Sequence, residues 1–314
     1  MTPNRLLPDL AARAEATAHS LAPDCGACTD VTLADRPDAT VVRHAGTVAK
    51  AHPPDSTPAD LVRRLTAAAR LPGLLLAPLT PAPADLHGRL VTCWPYGRPV
   101  DPADPDAAPW EEAAALLASL HRTPAPAGLP AMRGPVKAAR AVTRLRSASA
   151  APRAAVTAVL RAWDTLPPWA RAEAPQPAPG ALCHGDFHLG QLVRHPAPDG
   201  PWLLIDVDDL GTGVPGWDLG RPAAWYACGL LPPDEWSRFL TAYRAAGGTA
   251  VPDAGDPWPA LDVPARALTA QAAARAITKA QAGGRPLDEV EQCLVDACDR
   301  MASVPAELVR EEAK

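Results

Sequence analysis

The sequence predicts an α+β fold, with a small antiparallel sheet and a helix early in the chain and a mainly helical part after them. Three observations point there. Short apolar segments separated by turn residues crowd the stretch 30–93. Longer segments with helical spacing dominate after residue 110. A further hairpin-like pair, at 182–206, interrupts the helical part.

Residues 5–22 place Leu6, Leu10, Ala14 and Ala18 on one helical face. Three β-like segments follow: 30–35, 39–43 and 47–52, divided by Arg36-Pro37-Asp38 and by His44-Ala45-Gly46. Lys50 falls inside the third, between Ala49 and Ala51. A helix at 57–71 has Ser56 or Thr57 as its cap, Pro58 in first position and Asp60 in its first turn. Gly73–Leu79 and Gly88–Cys93 are apolar enough for two more strands, about five in all. Residues 99–109 carry four prolines among small and acidic residues and read as a stiff linker or surface loop.

Trp110–Arg122 is an amphipathic helix with Glu111 and Glu112 at its start and His121 packing at its end. Arg133, Lys137, Arg140 and Arg144 recur at helical spacing, which reads first as a solvated basic face. The stretch 147–180 reads as a helix and then a loop. Further helices are expected at 223–231, 234–246, 262–282 and 287–303, with Gly247-Gly248 and Gly283-Gly284 ending two of them.

Composition narrows the function. The 314 residues suffice for two parts with cores of their own. A formal net charge of −5, with the acidic surplus after residue 100, argues against general nucleic-acid binding. No apolar run approaches a membrane span. An odd number of cysteines, seven, and no signal-like start point to a reducing cytoplasm. Cys25-Gly-Ala-Cys28 has C-x-x-C spacing, but zinc would need two more ligands nearby in space.

The chemistry concentrates in 182–219, LCHGDFHLGQLVRHPAPDGPWLLIDVDDLGTGVPGWDL. His184-Gly185-Asp186 is followed by Gln191, then by a turn-rich gap, then by an apolar run that delivers Asp206. One carboxylate suits a hydroxyl proton; an amide oxygen and a second carboxylate suit a hard cation such as magnesium. Zinc ligation by His184, Asp186 and His188 is disfavoured, because alternate residues of an extended chain point to opposite sides.

These residues resemble the kinase catalytic loop, in the form used by the aminoglycoside-phosphotransferase family of small-molecule kinases. HGDFHLGQ, with Gln in the last place, is most similar to the maltokinase and amino-sugar-kinase branch. The resemblance implies a bilobal, protein-kinase-like fold: a nucleotide-binding lobe at 1–92, a hinge at 93–98 and a helical lobe at 99–314. It implies ATP and Mg²⁺ as cofactors and a small hydroxylated molecule as acceptor, with antibiotics among the candidates. Asp186 would orient the acceptor hydroxyl. Lys50 would hold phosphates opposite Asp206, Gln191 and Asp206 would hold the metal, and Cys93 and Trp94 would meet adenine through the hinge backbone. His188 and Asp208 would touch substrate or brace the site, while His184 and Asp218 would be structural.

Two parts of the family pattern are blurred. The loop 35–38 has no glycine, and Asp60 is the only acid in the helix whose family counterpart holds the lysine with a glutamate. A kinase-like protein that binds without turnover is therefore the alternative.

Overall fold

The computed structural model describes residues 5–22, 28–36, 38–148 and 152–303. Cys25 and Pro37 lie outside them.

In chain order, α1 (Leu6–Leu21) precedes β1 (Asp30–Arg36), β2 (Ala39–His44) and β3 (Thr47–Ala51). Then come α2 (Pro58–Arg70), β4 (Ala84–Leu86), β5 (Arg89–Pro95) and β6 (Arg98–Pro99). Helices α3 (Trp110–Arg122), α4 (Gly134–Arg146) and α5 (Arg153–Asp164) lead to β7 (Ala181–Cys183), β8 (Leu192–Arg194), β9 (Trp202–Leu204) and β10 (Gly211–Gly213). The described chain ends in α6 (Gly216–Ala227), α7 (Pro233–Ala245), α8 (Trp258–Ala282) and α9 (Glu289–Ser303). Among the described residues no helix is long and apolar enough to cross a membrane.

The chain divides into two compact units. The first comprises 1–109, 126–130 and 189–208; the second comprises 110–125, 131–188 and 209–314.

In the first unit the expected five-stranded antiparallel sheet is present, in the order β1-β2-β3-β5-β4. Ala49 and Ala51 of β3 lie in one apolar cluster with Leu10 and Ala14 of α1. Small side chains there admit the helix, and the pleat sends Lys50, between them, to the other face. Lys50 is not on an edge, because β3 pairs with β2 on one side and β5 on the other.

One expected strand is corrected. Residues 73–79 form no ladder; Leu75 makes a single parallel bridge to Leu204, with Leu76 N–H donating to the Leu204 carbonyl and Leu204 N–H to that of Leu74. Pro72 and Pro78 lack amide donors, and the amides of Leu74 and Leu75 both turn back to the Leu71 carbonyl. Ala84–Leu86 supplies the fifth strand instead.

The second unit is helical, with its core gathered around α4, α5, α8 and α9. Helix α6 starts seven residues before the expected 223, running through Pro222. Tertiary packing outweighs the proline. A Cβ at Gly216 would stand 2.7 Å from the Ala260 carbonyl oxygen, and one at Gly220 2.9 Å from Pro264, so α6 and α8 touch through their backbones.

Leu10 is fully buried in the cluster beneath β3. Leu10→Ala is expected to cost about 2–5 kcal/mol of stability, read as a lower denaturant midpoint.

Candidate active site

In the second unit, β7 pairs with β10 and releases the chain into His184–His188. Gly185 sits at φ +86°, where a side chain is strained, and a Cβ there would stand 2.3 Å from the Asp209 carbonyl oxygen. Both facts exclude the bulkier residue that protein kinases carry at this place.

Asp218, in the first turn of α6, clamps the loop. Its two oxygens accept from the amides of His184 at 2.6 Å and Gly185 at 2.7 Å. His121 Nε2 lies 3.0 Å from the same carboxylate, and His121 Nδ1 lies 2.7 Å from the Tyr243 hydroxyl. A carboxylate only accepts, so Nε2 carries the proton and Nδ1 accepts from Tyr243. The Tyr243 oxygen in turn accepts from the Ala250 amide. Burial raises the Tyr243 phenol above its usual range, in keeping with its role as donor. His121 thus links α3, α6 and α7 as well as packing at a helix end.

Asp186 is buried and held at both oxygens. Lys137 Nζ donates to Oδ2 at 2.6 Å, and Arg221 donates to Oδ1 at 2.9 Å. Lys137 also reaches Asp209 at 2.9 Å, and Arg221 Nε reaches the Phe187 carbonyl at 3.2 Å. Burial alone would raise the Asp186 pKa, but the charges of Lys137 and Arg221 and the bond from Lys137 bring it below the usual carboxylate range. His188 is likewise pushed down, to about 4, by burial first and by the cations Arg221 and Lys137 against the pull of Asp186.

In the first unit, Lys50 Nζ meets Asp206 Oδ1 at 2.5 Å and Asp208 Oδ2 at 2.9 Å. Burial works to lower the Lys50 pKa, but the two carboxylates and their hydrogen bonds win and raise it. Asp206 sits in the left-handed region, φ +66°, directly after Ile205, whose amide bonds the Gln191 carbonyl at 2.9 Å. The β8–β9 ladder therefore brings Gln191 and Asp206 to neighbouring places.

Asp208 also contacts His52 Nδ1. A buried relay feeds that contact. Trp94 Nε1 donates to Thr92 Oγ1 at 2.7 Å, which lies 2.6 Å from His52 Nε2. Burial would raise the Asp208 pKa, but Lys50 and His52 lower it well below the usual range.

The sequence-derived residues separate into two sets. Lys50, Asp206, Asp208 and Gln191 gather in the first unit, and Asp186, His184, His188 and Asp218 in the second. Asp60 does not join Lys50; its carboxylate takes Arg63 one turn on, at 3.0 Å, because a first-turn Asp is short and lies beside its own helix. Cys93 and Trp94 are within β5, and the Cys93 carbonyl already accepts from the Leu79 amide. An amide oxygen and a carboxylate, Gln191 and Asp206, form an all-oxygen donor set that fits magnesium.

Three members were missed in the sequence. Lys137 reads as part of a solvated stripe, and nothing in its spacing marks it as turned inward. Arg221 carries no motif. His52 had a usable signal, since it follows Lys50 by two residues and so shares its side of the strand.

A family model described as the phosphotransferase enzyme family matches residues 9–258. No curated protein matches the sequence. Solved structures match across nearly the whole chain. A choline/ethanolamine kinase family protein from Mesorhizobium loti is 17% identical with TM-score 0.58, covering 93% of this chain and 95% of that one. Spectinomycin phosphotransferase APH(9)-Ia, with ADP and spectinomycin, is 13% identical with TM-score 0.57, covering 88% and 92%. A thermostable mutant of aminoglycoside phosphotransferase APH(4)-Ia, with AMP-PNP and hygromycin B, is 12% identical with TM-score 0.56, covering 91% and 98%. At these identities the likeness establishes the fold.

The depressed His188 pKa has a measurable consequence. Unfolded His188 binds a proton near 6.5 while the folded one resists until about 4. The stability gained by keeping it neutral is complete above 6.5 and is lost as pH falls towards 4. Denaturation at pH 7 and pH 4.5 should show His188→Gln losing less stability than the parent, by about 1–3 kcal/mol. Equal losses would show that His188 titrates normally.

Proposed function

Because the chain belongs to the phosphotransferase enzyme family, we propose that it transfers the γ-phosphoryl group of ATP, with magnesium, to a hydroxyl of a small polar molecule. The observation that carries this reading is Asp186, a carboxylate kept ionised by Lys137 and Arg221 on a loop clamped by Asp218.

Phosphoryl transfer asks the protein for alignment and charge more than for covalent chemistry. So acidic a carboxylate is a weak base. Asp186 therefore acts mainly by orienting the acceptor hydroxyl, and takes its proton only as the bond to phosphorus forms. Lys137 and Arg221 fix both carboxylate oxygens and place two positive charges beside the reaction. Lys50 holds nucleotide phosphates. Gln191 and Asp206 would hold the magnesium ion, which when bound neutralises phosphate charge. Cys93 and Trp94 are proposed for the adenine contact through backbone atoms; their side chains are buried.

The acceptor is proposed to be neutral or cationic, an aminoglycoside, amino sugar or related antibiotic, because the acidic surplus after residue 100 attracts such molecules. Two structural neighbours were solved with ADP and spectinomycin and with AMP-PNP and hygromycin B. An antibiotic acceptor would make the protein a resistance determinant in the cytoplasm. The alternative, binding without turnover, draws on one observation: Asp206 and Asp208 are both engaged by Lys50. ADP release and product mass across a panel of sugars and antibiotics decides between them, and no acceptor-dependent ADP would favour the alternative.

Asp186→Asn keeps the shape and removes the proton acceptor, and should lower turnover about 10²–10⁴-fold with nucleotide affinity unchanged. Asp206→Asn is a clean charge test because Asn tolerates the left-handed backbone. It should weaken magnesium–nucleotide binding as well as turnover, with partial rescue by added magnesium. Gln191→Ala should do the same more mildly. Equal loss of nucleotide binding at 186 and 206 would mean the roles are misassigned.

Lys137→Met removes the larger of the two cationic pulls on Asp186. The acid limb of the pH–rate profile should then move to higher pH, with lower turnover. An unmoved limb would place Lys137 outside the mechanism.

A further inference from the structure

The C-x-x-C cysteines found no use in the reaction. Read as a zinc motif, they lacked two further ligands. The fold brings two histidines to Cys28. His19, in the last turn of α1, and His44, closing β2, each place a ring nitrogen within 4.8 Å of the Cys28 sulfur and of one another. The two rings stand edge to face, centroids 5.2 Å apart. His44 is buried, while His19 and Cys28 are half-buried. Asp30 Oδ1 holds His44 Nδ1 at 2.7 Å.

We propose that His19, Cys28 and His44 form a zinc site, with Asp30 orienting the His44 ring. Two imidazoles and a thiolate are a borderline-soft donor set that suits zinc and not magnesium. Ligand atoms around a tetrahedral zinc stand roughly 3.3–3.8 Å apart, so the three need to close by about 1 Å from the outer limit observed here. Asp30 at Nδ1 fixes the His44 tautomer, as a carboxylate does in many metal sites, and the metal would take Nε2. The site ties the end of α1 to the start of the sheet, at the far end of the helix from Leu10.

Cys28 is disulfide-bonded in this structure. The site therefore takes metal only after reduction. A trialkylphosphine and water convert the disulfide to two thiols and the phosphine to its oxide, and the metal then displaces the proton of the Cys28 thiol.

The full chain, reduced with a trialkylphosphine and stripped by a chelator, is titrated with cobalt(II) and then zinc(II). One equivalent of cobalt should give a thiolate-to-cobalt charge-transfer band with tetrahedral d–d bands, bleached by zinc. Cobalt at the oxygen ligands Asp206 and Gln191 gives no such band. Cys28→Ser should abolish it. His19→Gln, at a half-buried helix position that should not disturb folding, should weaken cobalt binding at least about 10-fold, and Asp30→Asn about 10–100-fold with the band shape kept. The unreduced chain should show no band. A reduced chain without the band, or a band unchanged in His19→Gln, would overturn the site.

Discussion

Two amide hydrogen bonds to one carboxylate govern the second unit's chemistry. Asp218 is almost wholly buried, and an ion taken out of water costs several kcal/mol unless donors replace the lost hydration. His184, Gly185 and His121 replace it. The same bonds fix the backbone on the residues just before Asp186, so desolvating one carboxylate becomes the means of aiming another. Gly185 is the only residue type that fits the resulting path, and Tyr243 and Ala250 extend the support to α7 and the chain beyond it.

The two sets of charged groups are balanced differently. Asp186 and Asp209 meet the cations Lys137 and Arg221. Asp206 and Asp208 share one lysine, Lys50, and Asp208 also meets His52. A single lysine between two carboxylates leaves them suited to a further cation. Asp186 already has a cation on each oxygen, which suits a carboxylate whose partner is an uncharged hydroxyl. Neither arrangement needs a strongly basic group, in keeping with a reaction governed by position and field.

Most of the fold was legible in the sequence because it is written in local periodicity. Leu6, Leu10 and Ala14 mark α1, and Lys50 between two alanines marks β3. The errors fall where distant packing overrules local signal. Residues 73–79 are apolar like a strand but make only isolated contacts, at Leu204 and Cys93, and α6 runs through Pro222 because glycines let it lie on α8. Within each unit the candidate residues were legible where they lie close together in sequence, His184 and Asp186 in one, Gln191 and Asp206 in the other. Lys137 and Arg221 come from separate helices with no spacing to betray them. Asp60 went to Arg63 because a neighbour on its own helix is nearer than any strand.

The double flanking of β3 bears on how such a chain can change over generations. An inserted or deleted residue within Thr47–Ala51 would turn Lys50 into the alanine-lined side beneath α1 and an alanine towards Asp206, and neither β2 nor β5 could slide to compensate without breaking its own ladder. Length variation among descendants should therefore collect outside this strand, in connections such as that between α2 and β4. The lysine's position is guarded on both sides by neighbouring strands, which hold its register through backbone pairing.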